Sequence, residues 1–453
     1  MNLLYIHTHD SGKVLSPYGY QVPTPYLSKW SKEATLFQNA FCVSPTCSPS
    51  RAAMLTGMYP HQVGMLGLAQ RGFHLDTSKH LVQYLNQHGY QSVLCGIQHE
   101  AGWYLDHAAG SKKLGYQIDL TCDNQGYEQE DLGEWDKLNA KKLAGFIKDS
   151  QFNHPFFISY GMYSTHRAYP KHITSEVDVN QVLPPYPMPN NEETRLDHAR
   201  YLSSAKIADE CIEEVIEALK KSGHYEDTLI LFTTDHGLAN PFCKCNLQDS
   251  GTAVSLIMRV PDTIGNGRCI DQLVSHLDIF PTLCDLLKLD KPNWLMGKSF
   301  AEAFDGKSSS SRKYIFSEIN FHTSYEPVRA IRDERYKYIV YYDLNYLRIN
   351  GSNIDESISK DFLMKHDLMN RVKIKEALYD LYYDPGERNN CIHLEENQVT
   401  LERLKEALKS EMKRSNDPLL NGSIVFQKGW KVNKRECLRA SSKNTEDYES
   451  LND

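Results

Sequence analysis

Several short stretches of this chain carry residue types that can do chemistry. In Cys47-Ser48-Pro49-Ser50-Arg51 a nucleophile-bearing residue precedes a fixed cation by four positions. On a helix that spacing puts both side chains on one face, a turn apart. There the planar guanidinium could hold oxyanions beside the sulfur. A thiolate can attack an electrophile, yet the same residues also suit a buried cysteine at a helix start with Pro49 in its first turn. An apolar run over residues 3–8 ends in His9-Asp10, and another over 228–234 ends in Asp235-His236-Gly237. Carboxylates suit hard cations such as Ca²⁺ or Mg²⁺, with His9 a softer ligand; Asp, Ser and Gly also simply make turns. His99 and His166 each follow an apolar run, over 91–95 and 155–161, and Lys244 lies just past Asp235. Histidine is the side chain that titrates nearest to neutrality.

The elements that must position these residues are legible as alternating strands and helices. Buried strands are predicted over residues 3–8, 91–95, 155–161, 228–234 and 255–260. Helices are predicted around 24–27, from the Cys47 signature onward, over 81–88, and as a long segment that ends before Gly223. Asn190 and Glu193 form a candidate capping box for that segment, and Ala205, Ala208, Ile212, Val215, Ile216 and Leu219 give it one apolar face. Residues 20–46 read as a surface connection. Parallel strands linked by helices bind ligands beyond their carboxyl ends, which is where His9-Asp10, His99, His166 and Asp235-His236 fall. After the polar run at 305–311, strands over 314–318, 328–332 and 336–342 predict a small antiparallel sheet, with a helix near 400–413 to cover it. The resulting division is 1–305, 312–430 and a polar, disordered tail over 440–453.

Composition narrows the function. A net charge of −8 across 453 residues argues against nucleic-acid binding and gives no bulk attraction for a polyanion. The chain is 41% apolar and 24% charged, and no run is long enough to cross a membrane. Its eleven cysteines are scattered and odd in number, a pattern of reduced thiols rather than a disulfide framework. Cys243 and Cys245 lack the second pair that zinc would need. The first residues lead straight into a strand with no basic leader. A cytoplasmic placement is expected from this, or a periplasmic or secreted one if a signal originally preceded them.

The Cys47 stretch, continued by Ala52-Ala53-Met54-Leu55-Thr56-Gly57, resembles the signature of type I, formylglycine-dependent sulfatases. Asp10, His99, His166, Asp235-His236 and Lys244 follow the order of that family's other motifs. The resemblance implies an alkaline-phosphatase-like fold: a large mixed, mostly parallel sheet flanked by helices, with a smaller C-terminal α+β subdomain. It implies that Cys47 is oxidised to formylglycine by a formylglycine-generating or radical maturation enzyme. It further implies a catalytic set of Cys47, Arg51, His99, His166 and Lys244, with His166 as proton donor to the leaving group. The metal set it implies is His9, Asp10, Cys47, Asp235 and His236, holding Ca²⁺, with Mg²⁺ or Mn²⁺ as alternatives. Two departures stand out. The family usually has Asp where this chain has His9, and Ile97 occupies the position of an expected sulfate-binding lysine. Within the family, the Thr165-His166-Arg167 turn, Asn246-Leu247 and residues 317–322 look most like heparan N-sulfatase (sulfamidase). That branch implies an N-sulfated glucosamine substrate from heparin or heparan fragments, with His322 touching the sugar. An O-sulfatase, a phosphonate monoester or phosphodiester hydrolase, and an inactive sulfated-glycan-binding protein stay open as alternatives, as does a homodimer.

Overall fold

The computed structural model describes residues 1–102, 107–306 and 312–450. Its large sheet contains β1 (Asn2–Thr8), β2 (Thr35–Phe41), β3 (Gln91–Gly96), β4 (Ile118–Asp119), β5 (Phe156–Gly161), β6 (Thr228–Thr234), β7 (Ala253–Arg259) and β8 (Cys269–Ser275). They lie in the order β4-β3-β5-β1-β6-β7-β2-β8. All neighbours pair in parallel except those of β7, which runs against both β6 and β2.

β1 is buried along its whole length because helices cover both faces of the sheet. Leu4 and Ile6 pack with Ala140, Leu143, Ala205 and Ile212 from helices Leu132–Asp149 and Glu192–Ser222. Leu3 and Tyr5 face the other way, towards Leu81, Leu85, Phe280 and Leu283 of helices Leu81–Gln87 and Ile279–Leu287. Alternation of residues along one strand thus supplies two separate cores.

The smaller sheet is antiparallel, in the order β12-β11-β10-β9, and comprises β9 (Ile315–Phe321), β10 (Tyr325–Arg332), β11 (Tyr336–Tyr341) and β12 (Glu376–Asp380). Helix Gln398–Ser415 lays Leu401, Leu404, Leu408 and Met412 against it, at the one-face spacing an amphipathic helix requires. This sheet also docks on the loop that leads to Cys47. Glu318 N donates to Val43 O at 2.8 Å, and Ser317 Oγ donates to Cys42 O at 3.1 Å.

The structure departs from the sequence reading in three places. The expected surface connection over 20–46 contains β2, an inner strand of the sheet. Its alternation is blurred by the half-buried Gln38 and Asn39 at a register shift against β7 and β8. The capping box is Asn191 with Thr194, one residue beyond the expected pair. Residues 440–450 differ from the expected disordered tail: Tyr448 bridges to Asn433, Glu449 N donates to Val432 O at 2.9 Å, and Ala440 O accepts from Arg71. Backbone pairing holds this polar stretch where composition alone gives it no core to join. Residues 451–453, and 307–311 of the expected boundary, lie outside the described residues.

Candidate active site

The carboxyl ends of β1, β2, β3, β5 and β6 share one edge of the sheet, and the candidate residues follow from them. β1 leads into His9 and Asp10, β6 into Asp235 and His236, and β2 through a short loop into the helix Cys47–Thr56. Two glycines let the outer strands close in. A Cβ on Gly96, which sits at φ +82°, would lie 2.0 Å from Gly161 O. No other residue permits that approach, and it brings the His99 and His166 loops beside β1.

Asp10 itself takes a left-handed backbone, φ +42°, an uncommon conformation for a residue with a side chain. Its N–H donates to Asp235 Oδ1 at 2.9 Å, tying the two strand ends together. Every residue of the helix Cys47–Thr56 is buried. Ser50 Oγ donates to Asp235 O at 2.5 Å, which anchors the first turn of that helix to β6. Arg51 lies one turn beyond Cys47, as the spacing predicted. Its guanidinium reaches His7 Nδ1 at 2.6 Å, Asp235 Oδ2 at 3.1 Å and Thr8 O at 3.2 Å.

Cys47 Sγ faces this cluster, 3.4 Å from His236 Nε2 and 4.0 Å from Asp10 Oδ1. His236 Nε2 is also 3.2 Å from Asp10 Oδ1, and His9 Nδ1 is 3.2 Å from Asp235 Oδ2. One donor atom each from His9, Asp10, Cys47 and Asp235 falls within 4.8 Å of the others. Two wholly buried carboxylates side by side are costly unless cations neutralise them. Oxygen donors of this kind fit a hard divalent ion, so the residues present suit the cation the sequence implied. Burial, then Arg51, pushes His9 down to about 3, so its ring is neutral and can ligate. Burial also pushes the Cys47 thiol well above its usual value; Lys244 opposes this, while Asp10 and Asp235 add to it. An unmodified Cys47 is therefore held as a neutral thiol, a poor nucleophile.

Lys244 closes the cluster from the loop after β6, with left-handed residues Phe242 and Cys245 (φ +64° and +61°) shaping that loop. Its Nζ donates to Asp10 Oδ2 at 3.0 Å and to Asp355 Oδ2 at 2.9 Å. Burial alone would lower its pKa, but Asp10 and Asp355 outweigh that and hold it charged. His166 Nδ1 bonds the carbonyl of Arg167, which fixes the proton on Nδ1 and turns Nε2 towards Asp10 Oδ2, 3.8 Å away. His99 Nε2 lies 2.8 Å from Gln70 Oε1. His322 is buried; burial first, then Lys244, pushes its pKa down to about 3, and Asp355 partly opposes them. The side chains of His166 and Asp355 are 16% and 15% exposed, whereas those of Asp10 and Lys244 are 0% and 4%. The cluster therefore opens between His166 and Asp355.

The structure thus brings together all the candidate catalytic and metal-binding residues, and buries His322, just past the end of β9. It also adds residues that the sequence reading passed over. His7, one residue inside the end of β1, backs Arg51; its position on a strand that ends in ligands was the available signal. Gln70 partners His99. Asp355 comes from an irregular loop with no strand before it, so no local pattern marked it. Ile97 is wholly buried against Leu132, Trp135 and Tyr163, as a core residue.

Comparison with known proteins places these features in a wider set. The family described as Sulfatase matches residues 2–289, and the one described as N-sulphoglucosamine sulphohydrolase, C-terminal, matches residues 236–355. The chain is 25% identical over 473 residues to N-sulphoglucosamine sulphohydrolase of Homo sapiens, covering 92% of this chain and 91% of that protein. It is 25% identical over 450 residues to an ulvan-active sulfatase of Formosa agariphila, covering 90% and 74% of the two chains. Among solved structures it resembles a protein in complex with its substrate D-glucosamine-2-N,6-O-disulfate. That match has a TM-score of 0.69 at 18% identity, over 92% of this chain and 98% of the other.

Proposed function

The chain belongs to the sulfatase family, a sulfuric ester hydrolase on an alkaline-phosphatase-like fold, and on that premise we propose that it removes the N-sulfate of glucosamine in heparin or heparan fragments. The observation that carries this reading is the make-up of the site's opening. Asp355, at that opening, and the buried His322 fall within the segment that matches the N-sulphoglucosamine sulphohydrolase C-terminal family, and Asp355 is paired with Lys244 of the reaction centre. The full-length likeness to the human N-sulphoglucosamine sulphohydrolase supports the same substrate class.

The chain's own residues divide the work as follows. Asp10 and Asp235, with His9 and His236 beside them, would hold a divalent cation, which supplies positive charge against the sulfate oxygens. Cys47 at the helix start presents the nucleophile; as formylglycine, its hydrate supplies two oxygens on one carbon, one to attack sulfur and one to expel sulfate. Arg51, tied to Asp235, and Lys244, tied to Asp10, would supply fixed positive charge at the centre, where negative charge on oxygen develops. Gln70 fixes the orientation of the His99 ring at the same edge. His166, at the opening, would take a proton on Nε2, beside Asp10, and pass it to the departing nitrogen.

The reading is tested by sulfate release from protein co-expressed with a maturation enzyme, after peptide mass has confirmed formylglycine at position 47. N-sulfoglucosamine and N-acetylglucosamine 6-sulfate are offered side by side. Release from the N-sulfated sugar is the expected result. Release from the O-sulfated sugar alone would replace the substrate assignment with an O-sulfatase. Turnover of neither, with cleavage of a phosphonate monoester, would move the chain to that reaction.

A further inference from the structure

A carboxylate at the mouth of a site for sulfate esters is electrostatically out of place, because it repels the anion it admits. Asp355 is such a group. One oxygen, Oδ2, accepts from Lys244 Nζ at 2.9 Å. The other, Oδ1, accepts no hydrogen bond from a described residue. One donor atom each from Asp355, His166 and Asp10 falls within 4.8 Å of the others, so Asp355 borders both the proton donor and the reaction centre. Its side chain is 15% exposed, so the carboxylate borders the opening.

The two kinds of sulfate leave different products. Hydrolysis of an O-sulfate, R–O–SO₃⁻ + H₂O → R–OH + SO₄²⁻ + H⁺, ends in a neutral alcohol. Hydrolysis of an N-sulfate, R–NH–SO₃⁻ + H₂O → R–NH₃⁺ + SO₄²⁻, ends in a cation. In the second case the S–N electron pair stays on nitrogen, which takes one proton from His166 and a second from water. Positive charge then appears where the leaving group departs, beside His166. We propose that Asp355 is a specificity-determining residue that accepts a hydrogen bond from the sugar nitrogen and stabilises the ammonium that forms there. This rests on the N-sulfatase reading above and names the group that enforces it. It also accounts for a carboxylate that a site for alcohol leaving groups would not require.

The alternative is that Asp355 only steadies Lys244, and the two roles separate experimentally. Glucosamine and N-acetylglucosamine are titrated by calorimetry, on the acid side of neutrality, into protein carrying unconverted Cys47, as wild type, Asp355→Asn and Asp355→Glu. The expected result is a wild-type preference for glucosamine over N-acetylglucosamine that Asp355→Asn reduces by about ten- to a hundredfold, the range for a hydrogen bond to a charged group. Asp355→Glu should restore part of that preference, and N-acetylglucosamine binding should stay constant throughout. In formylglycine-bearing protein, Asp355→Asn should lower kcat/KM for N-sulfoglucosamine by about tenfold more than it lowers that for an aryl sulfate, whose own loss reports the weakened Lys244 pair. Equal losses for both sugars and both sulfates would overturn the proposal in favour of Lys244 support, as would an Asp355→Asn protein indistinguishable from wild type. If wild type releases no sulfate from N-sulfoglucosamine, the substrate reading fails by itself. The binding comparison still decides whether Asp355 recognises an amine.

Discussion

Arg51 offers the sharpest test of how the centre is held together, because its guanidinium serves structure and chemistry at once. It is 1% exposed and touches His7 Nδ1, Thr8 O and Asp235 Oδ2 at 2.6, 3.2 and 3.1 Å. Arg51→Met keeps most of the volume and removes the charge. Asp235 would retain the backbone N–H groups of Asp10 and His236 on Oδ1, but the cation against Oδ2 would be gone. Removing one partner of a buried ion pair costs about 3–5 kcal/mol. Arg51→Lys keeps the charge but not the fork, so it can satisfy only part of the three contacts; at about 1 kcal/mol for each hydrogen bond lost, it should cost about 1–2 kcal/mol. Activity should follow a different order of magnitude. Loss of a charge aimed at developing oxyanions lowers kcat by about 10²–10³, and Arg51→Lys should fall between Arg51→Met and wild type. Urea unfolding of each variant gives the stability term; sulfate release by formylglycine-confirmed protein gives the rate. An Arg51→Met protein that unfolds within about 1 kcal/mol of wild type would refute the ion-pair argument. One that is destabilised yet turns over at the wild-type rate would refute the catalytic one.

Other consequences follow from the same geometry. Ca²⁺ added to protein with unconverted Cys47 should raise its melting temperature, by about 2.7 kcal/mol of stabilisation at a hundred times Kd. Asp10→Asn should abolish that rise; a rise that survives in Asp10→Asn would place the ion elsewhere. Gly96→Ala puts a methyl 2.0 Å from Gly161 O on a left-handed backbone, and should lose about 3 kcal/mol or more in urea unfolding; a loss under about 1 kcal/mol would show that β3 and β5 can separate freely. At the clasp between the two sheets, burial lowers the pKa of His61, but the paired Glu318, then Asp417, outweigh burial and Arg329 and raise it. A raised histidine stabilises the fold fully below its unfolded pKa of about 6.5 and loses that contribution as pH climbs through the folded value. The urea midpoint should therefore fall between pH 6 and pH 8, and Glu318→Gln should flatten that part of the profile. An identical slope in Glu318→Gln would remove His61 as its source.

Much of the centre was legible because its residues sit in short motifs at the ends of strongly apolar strands. Asp10, Asp235 and His166 each end or follow a run whose burial is evident from composition alone, and Cys47 with Arg51 obeys helical spacing. What stayed hidden lacks such a frame. β2 carries Gln38 and Asn39 across a register shift, so its alternation breaks where the strand bends. Asp355 belongs to a loop between the small sheet and helix Ile358–Lys365, and only the tertiary fold lays that loop against Lys244. His7 reads as one more residue of a strand until Arg51 is seen to reach back to it. Residues 440–450 owe their order to pairing with Val432, Asn433 and Lys434, which a polar composition cannot disclose.

The position of Ile97 bears on how such a site binds an anion at all. The family pattern leads one to look for a lysine there, and the chain instead buries an apolar side chain against Trp135 and Tyr163. An ammonium at that point would have to leave the core or shed its hydration without a partner, at a cost of several kcal/mol. Positive charge at the centre thus comes from Arg51 and Lys244, and each is already tied to a carboxylate, Asp235 or the Asp10–Asp355 pair. With a chain net charge of −8, neither the surface nor these paired cations generate a strong field for a polyanion. On the proposed reading, recognition would rest on a cation held by Asp10 and Asp235 for the sulfate, and on the residues of the opening for the rest of the sugar. On the same reading, a centre so arranged discriminates by what the leaving group becomes rather than by how much negative charge the substrate carries, with Asp355 making that distinction.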